Sequence, residues 1–600
     1  MIRVADYVIK FLESKGIHTA FTMSGGGSIF LCDALYQAKK MKYVCCHHEQ
    51  AVSIAAESYS RSNLTPGVGI VTTGPGGTNT TTGVSCCWID SIPAIFISGQ
   101  VFTEQTISIN GTRQTGVQES DIVSLVKPIT KYSIMLKKAE DIKYHLEKAY
   151  HLCQVGRPGP VWIDIPADIQ STLINPKKLK SYRINKKYVL NKKLDENIRY
   201  VAHKLSQAQR PLLHFGGGAR SKKCKDKIYS ILKKYSLPFA LTWNASDLIE
   251  SSHKLYAGRP GAFAERGANF IVQNSDVYIS IGSRLPYMVT GYNNKDFARN
   301  AYTIMVDIDK EELNRKNIKV NKKINCSADY FLKKLIEYLP TNMNIDKKWL
   351  PYCKYIRKKY PILTNEILNQ KKYLNSYYFI KELSKKLNNR DTIVTDMGLS
   401  FVGTHQAFDV KKGQKLYTNA GHAPMGWGLP AAIGAFFSSA KNKRVICITG
   451  EGGLQLNLQE FATIMHHKIP IKIFIYNNGG YLTIKQTQQL GFSGRIMGAN
   501  KESGIEFPNY KDIAKAHKIK YLRITNKNML DSRIDSILSS NYAVISELII
   551  DPEQEQTPKA INKRAPNGKT VPTQFEDMYP FLDKNEISNA SYISYVNSIK

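Results

Sequence analysis

Two neighbouring apolar segments in the last third of the chain each end in residues that could bind a metal ion and a phosphate. The segment 444–449 runs into a Gly-Glu-Gly-Gly turn (450–453), and the segment 469–476 runs into an Asn-Asn-Gly-Gly turn (477–480). Short apolar strands joined by a helical stretch are typical of parallel sheets, in which the carboxyl ends of the strands share one edge. Carboxylate and carboxamide oxygens suit Mg²⁺, and glycine turns let the backbone approach phosphate closely. The pattern therefore indicates a metal and diphosphate site.

A glutamate near the start of the chain is the second candidate for chemistry. Glu49 follows Cys46, His47 and His48 and opens a stretch, 51–61, that is typical of a helix. Taken alone, an acidic residue at a helix start is explained by the favourable interaction of its charge with the helix dipole. Its significance therefore depends on the metal motif about 400 residues downstream.

Together, the two motifs resemble those of thiamine-diphosphate (ThDP) enzymes, and the glutamate segment is similar to that of acetolactate (acetohydroxyacid) synthases. Such enzymes hold a carboxylic acid beside the aminopyrimidine ring of ThDP on one domain and the diphosphate motif on another. Further segments match in order along the chain: 21–27, 73–79, 156–166, 394–398 and 421–434. The resemblance extends over roughly residues 1 to 550.

The resemblance implies catalytic roles for Glu49 and for other residues near the start of the chain. Glu49 would hydrogen-bond the pyrimidine N1′ and favour the imino tautomer, whose 4′ nitrogen removes the proton from the thiazolium C2. Gly26, His48 and Gln118 match positions that line the substrate pocket. For His48, an ordinary hydrogen-bonded structural role is an equal alternative.

The resemblance also implies the cofactor and metal contacts. Met425 matches the bulky apolar residue that wedges ThDP into a V shape, with core filling as its alternative role. The cofactor-binding residues are then Glu49, Gly76, Asn79, Gly398, Met425, Gly450, Gly452, Gly453, Asn478 and Tyr481, and the metal ligands are Glu451, Asn478 and the carbonyl of Gly480. The family has Asp where this chain has Glu451, so we expect a perturbed Mg²⁺ site, because Mg²⁺ demands near-ideal octahedral distances.

Three blocks of alternating strands and helices must position these residues. They predict an α/β fold of three doubly wound parallel sheets, whose ligands sit at the carboxyl ends of strands. We assign residues 1–174 to a pyrimidine-binding domain, 196–340 to a central domain, 375–551 to a diphosphate- and metal-binding domain, and 552–600 to a C-terminal tail over the surface. The central block resembles a flavin-binding domain through segments 216–218, 282–284 and 307–309, so FAD is left open as a further cofactor.

Composition excludes several other classes of protein. The chain has 600 residues, 42% hydrophobic and 22% charged, as in ordinary globular proteins, and its ten cysteines form no C-x-x-C pair, which favours reduced thiols. We expect no membrane partner and a cytoplasmic location, since no apolar stretch has spanning length and the start is unlike a signal peptide. The net charge of +34 is concentrated in lysine-rich stretches, 177–193, 310–323 and 354–372, without interleaved aromatics, so we expect no nucleic-acid partner.

Two departures from the family fall where the acceptor substrate binds. Met288 stands where acetohydroxyacid synthases carry an arginine that pairs with the carboxylate of a second oxo acid, and Thr487 stands where they carry a tryptophan. Losing the guanidinium removes a bidentate carboxylate clamp. These changes, and tail segments 558–564 and 575–581, resemble the variant found with bacterial surface-polysaccharide genes.

We therefore predict a ThDP- and Mg²⁺-dependent carboligase that decarboxylates a 2-oxo acid and transfers the acyl carbanion to a carbonyl acceptor. Pyruvate is the 2-oxo acid that we expect as the donor. The acceptor is a second 2-oxo acid or, by a slight preference, a nucleotide-linked keto sugar. The alternatives are a simple decarboxylase that releases aldehyde and a non-catalytic regulatory subunit with the ThDP fold. In the family, the two halves of the ThDP site come from different chains, which implies a homodimer or homotetramer. Dimer versus tetramer, and a small regulatory subunit, stay open.

Overall fold

The computed structural model describes residues 1–63, 65–107, 111–184, 192–438, 443–564 and 569–599. Residues 185–191, within the lysine-rich stretch 177–193, lie outside the described residues.

The first domain is a six-stranded parallel sheet with helices on both faces. Its strand order is β3-β2-β4-β5-β7-β6, and a short antiparallel pair, β1 and β8, lies apart from it. The strands are β1 (Ile2–Arg3), β2 (Thr19–Thr22), β3 (Lys42–Cys45), β4 (Gly67–Val71), β5 (Ala94–Gln100), β6 (Tyr132–Met135), β7 (Pro160–Pro166) and β8 (Leu173–Ile174). The helices are α1 (Val4–Ser14), α2 (Ile29–Tyr36), α3 (Glu49–Asn63), α4 (Pro75–Asn79), α5 (Thr81–Asp90), α6 (Ile122–Val126), α7 (Ile142–Leu152) and α8 (Ala167–Ser171).

The central domain is a five-stranded parallel sheet in the order β10-β9-β11-β12-β13. Its strands are β9 (Pro211–Phe215), β10 (Phe239–Leu241), β11 (Val277–Ile281), β12 (Tyr302–Asp307) and β13 (Lys322–Asn325). Its helices, with those that lead to the third domain, are α9 (Lys192–Gln207), α10 (Lys222–Tyr235), α11 (Arg266–Asn274), α12 (Tyr287–Thr290), α13 (Lys310–Leu313), α14 (Ala328–Tyr338), α15 (Trp349–Lys359) and α16 (Asn365–Asn369).

The third domain repeats the first topology, in the order β15-β14-β16-β17-β19-β18, again all parallel. Its strands are β14 (Thr392–Thr395), β15 (Lys415–Tyr417), β16 (Val445–Gly450), β17 (Lys472–Asn477), β18 (Lys520–Ile524) and β19 (Val544–Ile549). Its helices are α17 (Ser376–Lys386), α18 (Leu399–Ala407), α19 (Gly428–Ser438), α20 (Glu451–Gln455), α21 (Glu460–His466), α22 (Leu482–Gly491), α23 (Tyr510–Ala516) and α24 (Leu530–Ser539). The prediction of three parallel α/β sheets is confirmed.

The first and third domains share one hydrophobic core. Helices α3 and α19 cross at close range within it, because their contact surface is built from small residues. A Cβ placed on Gly434 would lie 2.1 Å from the carbonyl oxygen of Ala55. Ser58 donates its hydroxyl to the carbonyl of Ala431 at 2.6 Å. The helix that begins at Glu49 is thus held directly against the helix that follows Met425.

A buried ion-pair cluster lies at the same junction. Arg61 of α3 pairs with Glu57 on its own helix and with Asp90 at the end of α5, and its guanidinium lies 5.5 Å from the ring centre of Trp427. Burying charges is costly unless they are paired; here the three charged partners all come from the first domain, and Trp427 of the third domain covers the guanidinium.

The tail is docked more firmly than its sequence suggests. Besides β20 (Lys563–Arg564) and β21 (Thr570–Val571), it forms helices α25 (Lys584–Asn589) and α26 (Tyr592–Ser598). Phe575 and Met578 are buried against the central domain, and Asn269 of α11 donates to the carbonyl of Phe575 at 2.9 Å. The prediction of a tail over the surface missed these anchors, because single apolar residues among polar ones give no periodic signal.

Some predicted details differ. Strand β17 begins at Lys472 rather than at residue 469, because Pro470 has no N–H to donate to a neighbouring strand.

All ten cysteines are free thiols, and seven of them are buried. No helix among the described residues has the length and apolarity to cross a membrane.

Candidate active site

The predicted residues of the first domain gather at the carboxyl edge of its sheet. Glu49 begins α3 directly after β3, and its Oε2 accepts a hydrogen bond from Asn79 Nδ2 at 3.0 Å. The Glu49 side chain is buried, with 7% of the residue's surface exposed. Because Asn79 ends α4, which follows β4, segments that follow two strands on either side of β2 jointly orient this carboxylate.

The glycine turn after β2 packs on the loop after β4. The backbone N–H of Gly27 donates to Thr72 Oγ1 at 3.1 Å, and a Cβ on Gly76 would lie 2.9 Å from Thr72 Cγ2. Gly26 begins the short turn 26–28 and is exposed. Gln118 is also exposed, and its carbonyl oxygen would lie 2.0 Å from a Cβ on Gly74. The structure thus brings Gly26, Gly76 and Gln118 to the edge that holds Glu49.

His48 lies beside this edge and is half-buried. Its Nδ1 accepts the backbone N–H of Gln50 at 3.0 Å, so a neutral ring carries its proton on Nε2. The hydrogen bond fits the structural role, and it leaves Nε2 as a donor.

The carboxylate of the third domain reaches the neighbouring turn, as its spacing predicts. Glu451 begins α20, and its Oε2 accepts the backbone N–H of Asn478 at 2.8 Å. The residue is 1% exposed, and burial raises the pKa of the Glu451 carboxyl to about 8 although backbone N–H groups of the turn oppose the shift. Two helices, α20 and α21, cross between β16 and β17, where the sequence suggested one.

Two of the three glycines around Glu451 are required by close packing. A Cβ on Gly452 would lie 1.9 Å from the ring of Tyr481, and one on Gly453 would lie 2.5 Å from Asp396 Oδ2. Gly450 precedes α20 and has no atom within 4 Å of its Cβ position. Tyr481 therefore lies directly over the turn, while Gly450 faces open space.

The loop that carries Met425 is held at several points. Asn419 Oδ1 accepts the backbone N–H of His422 at 3.1 Å and that of Ala423 at 3.2 Å. The N–H of Gly426 donates to Asp396 Oδ1 at 3.1 Å, and its carbonyl accepts from Asn457 Nδ2 at 2.7 Å. Gly426 has φ +83°, a conformation that favours glycine. Met425 itself is half-buried, so it is not simple core filler.

The third-domain residues fit a hard cation and a diphosphate. Glu451 Oε1 is buried and makes no hydrogen bond, so a carboxylate oxygen is left in need of a partner. Such an orphaned charge is costly to bury, and a bound cation would satisfy it. Gly398, with φ +72°, opens α18 at the same edge, with its Cβ position 3.9 Å from Thr483 Oγ1.

Met288 and Thr487, the two departures predicted to affect the acceptor, lie in different surroundings. Met288 packs against a small apolar cluster at the junction of the central and third domains, whose members are Trp243, Phe263, Met397, Phe401, Val402 and Ala420. Its carbonyl accepts the N–H of Ala262 at 2.9 Å. Thr487 is exposed on α22 and donates its hydroxyl to the carbonyl of Thr483 at 2.8 Å.

The glycine segments of the central domain pack on each other. A Cβ on Gly216 would lie 2.4 Å from the carbonyl oxygen of Gly282, and one on Gly218 would lie 3.0 Å from Gly282 Cα. This backbone packing accounts for the glycines without any ligand.

Sequence reasoning missed three residues that organise the site. Asp396, Asn457 and Glu460 are buried, and each joins segments far apart in the chain. Glu460 Oε1 accepts the N–H of His47 at 2.9 Å, and Asn457 Nδ2 contacts Gln50 Oε1 at 3.3 Å. Asp396 stood in a recognised segment, but its role needed the fold.

Comparisons with known proteins agree with this arrangement. Residues 2–125, 198–335 and 396–547 match the N-terminal TPP binding, central and C-terminal TPP binding domains of thiamine pyrophosphate enzymes. The acetolactate synthase large subunit of Cyanidium caldarium is 31% identical over 90% of this chain and 92% of its own length. The isozyme 1 large subunit of Escherichia coli strain K12 is 28% identical over 92% of this chain and 95% of its own.

Fold and comparisons together define a ThDP-dependent enzyme. More narrowly, the chain belongs to the acetolactate synthase large-subunit family, as its resemblance indicated.

Proposed function

We propose that this protein is a ThDP- and Mg²⁺-dependent carboligase that removes CO₂ from pyruvate and adds the remaining two-carbon unit to a nucleotide-linked keto sugar. The bound ThDP supplies the electron sink for loss of CO₂ and carries the two-carbon unit to the acceptor. Membership of the acetolactate synthase family supports the donor half of the proposal. The acceptor half rests on the surroundings of Met288.

In the first domain, Glu49 exchanges a proton with N1′ of the aminopyrimidine. Asn79 holds one oxygen of its carboxylate, which leaves the other for the cofactor. Burial keeps water from competing for that proton. Gly26, His48 and Gln118 line the space beside it, with His48 Nε2–H as a donor to substrate oxygen.

In the third domain, Glu451, Asn478 and the carbonyl of Gly480 bind Mg²⁺, which neutralises the diphosphate. The buried, unpaired Glu451 Oε1 supports this assignment. Gly450, Gly452, Gly453 and Tyr481 would bind the diphosphate of ThDP, and Gly398 and Met425 would contact its ring system. The proposed reaction has no net redox step, so it neither requires nor excludes FAD in the central domain, and FAD stays open as a further cofactor.

The apolar cluster around Met288 is the observation that carries the choice of acceptor. Trp243, Phe401 and Val402 pack around Met288, the position at which the family resemblance places an arginine that binds the second oxo acid. Without such a fork of N–H donors, a second pyruvate loses a bidentate partner for its carboxylate. An acceptor that has no carboxylate to bind at position 288 loses no binding partner when arginine is replaced by methionine.

We further propose a homodimer as the minimum active unit, with a homotetramer as the larger form. Large apolar side chains beside both halves of the site are exposed in the single chain: Ile29, Phe102, Val117, Leu456, Leu490 and Met497. A second chain would cover such residues. Sedimentation of the purified protein should give a mass of at least two chains, and a stable, active monomer would contradict this.

The test supplies the purified protein with ThDP, Mg²⁺ and pyruvate, with and without nucleotide-linked keto sugars, and identifies products by NMR. We expect pyruvate to be consumed with the keto sugar present and a branched sugar to form. Acetolactate from pyruvate alone would make the protein a true acetolactate synthase. Acetaldehyde as the only product would make it a simple decarboxylase.

A further inference from the structure

We propose that Asp396 is a positioning residue that fixes the three segments which surround ThDP in the third domain, an inference that rests on the proposed function. Asp396 follows β14 at the carboxyl edge of the sheet and is 1% exposed. The loops after β14, before α19 and after β16 come together around its carboxylate.

The two oxygens of the Asp396 carboxylate together serve three segments. Oδ1 accepts the backbone N–H of Met397 at 2.8 Å and that of Gly426 at 3.1 Å. Oδ2 accepts the hydroxyl of Thr449 at 2.9 Å. One side chain therefore ties the residue before Gly398, the residue after Met425 and the residue before Gly450.

The packing around the carboxylate leaves little room for movement. A Cβ on Gly453 would lie 2.5 Å from Asp396 Oδ2, and one on Gly428 would lie 3.0 Å from Asp396 Cβ. The α20 turn and the start of α19 thus press on the same side chain. A shift of Asp396 would move the loop that carries Met425 and the turn at 450–453 relative to each other.

The partners of Asp396 argue against a role as one half of an ion pair. In the part of the chain that the structure describes, no lysine or arginine forms a salt bridge with it. Its charge is stabilised by N–H and O–H donors alone, an arrangement that orients loops with precision. A buried carboxylate whose donors all come from cofactor loops suits positioning.

Asp391 offers a matched control at the opposite end of the same strand. It is also fully buried, and it accepts hydrogen bonds from Asn388 N at 2.7 Å and from Arg444 Nε at 2.9 Å. It touches none of the cofactor loops. Asp391→Ala therefore costs stability as Asp396→Ala does, without disturbing the site.

The experiment measures ThDP affinity and the rate at which the C2 proton of bound ThDP exchanges with D₂O, neither of which requires turnover. For Asp396→Ala we expect a Kd for ThDP at least about tenfold higher and, at saturating ThDP, C2–H exchange at least about tenfold slower. Asp391→Ala should lower the Tm but leave both values unchanged. Asp396→Asn should keep exchange within a few-fold of the wild type, because its amide oxygen can still accept from Met397 and Gly426.

Normal affinity and exchange in a folded Asp396→Ala protein would overturn the inference. If that variant does not fold, Thr449→Val replaces it, since valine has the same shape without the hydroxyl. We then expect the Kd for ThDP to rise, and an unchanged Kd in Thr449→Val would overturn the inference. A wild-type protein that fails to accelerate C2–H exchange over free ThDP would instead refute the proposed function.

Discussion

Asn79 holds the carboxylate of Glu49 by a 3.0 Å hydrogen bond between segments that follow β4 and β3, the two neighbours of β2 in the sheet. This contact fixes the orientation of the carboxylate that the proposed mechanism places beside the cofactor. Glu49→Gln keeps an oxygen for Asn79 but cannot exchange a proton. We expect pyruvate consumption to fall by about 10²- to 10⁴-fold with ThDP binding retained, measured by pyruvate loss and by ThDP titration.

Glu57→Gln is the control for Glu49→Gln, because Glu57 lies two turns along the same helix and pairs with Arg61. Its loss should lower the Tm without a comparable loss of the chemical step. An unaffected rate in Glu49→Gln would contradict the proposed proton exchange.

Glu451 reaches the turn at 477–480 through its extra methylene. Its Oε2 accepts from Asn478 N at 2.8 Å, and its Oε1 has no partner. We expect Glu451→Asp to fall short of this turn and Glu451→Gln to lack the charge, so both should raise the Mg²⁺ concentration needed for half-maximal activity, by about 10-fold or more.

Exposed Glu502, in the loop facing the same turn, serves as the control, and Glu502→Gln should leave the Mg²⁺ requirement unchanged. Tighter Mg²⁺ binding by Glu451→Asp would contradict this prediction, because it would show that the extra methylene of Glu451 weakens Mg²⁺ binding.

Met288→Arg tests the basis of acceptor choice. The substitution places a guanidinium beside Trp243 and Phe401. We expect acetolactate formation from pyruvate alone to rise relative to keto-sugar branching, because a carboxylate partner is restored. Product ratios by NMR provide the measurement, and Met288→Leu should retain the wild-type ratio. The idea fails if Met288→Arg folds and its product ratio is unchanged.

The close contact of α3 with α19 predicts a steric effect at Gly434. Alanine is the better helix former, yet its Cβ would lie 2.1 Å from the carbonyl oxygen of Ala55. We expect overpacking to win, with Gly434→Ala lowering the free energy of unfolding by about 1–3 kcal/mol. In Gly491→Ala the new Cβ meets nothing within 4 Å, so thermal unfolding should show no loss of stability there.

Motifs at strand ends explain why much of the site could be predicted from the sequence. Glu451 and Asn478 follow neighbouring apolar strands of one sheet, so the rule that carboxyl ends share an edge was enough to group them. Glu49 lies on the sheet of another domain, and only the resemblance to ThDP enzymes joined it to them. Asp396 and Asn457 could not be found this way, since their partners lie about 30 to 60 residues away and only the fold brings them together. The anchors of the tail were missed for the same reason, because Phe575 packs on residues about 300 positions earlier.

Asp164 gives the first domain a pH-dependent stability. It is buried on β7, where it accepts from Ser98 Oγ at 2.5 Å and from Gln100 Nε2 at 3.0 Å, and burial raises its pKa to about 7. Between about pH 4 and 7 the folded chain keeps a proton that the unfolded chain has lost, so this group's contribution to stability is lost as pH rises through that window. Asp164→Asn cannot titrate, and its Tm should decline less than that of the wild type from pH 5 to 7.5. Parallel Tm profiles for the two proteins would mean that Asp164 is ionised throughout and that its neighbours stabilise the charge.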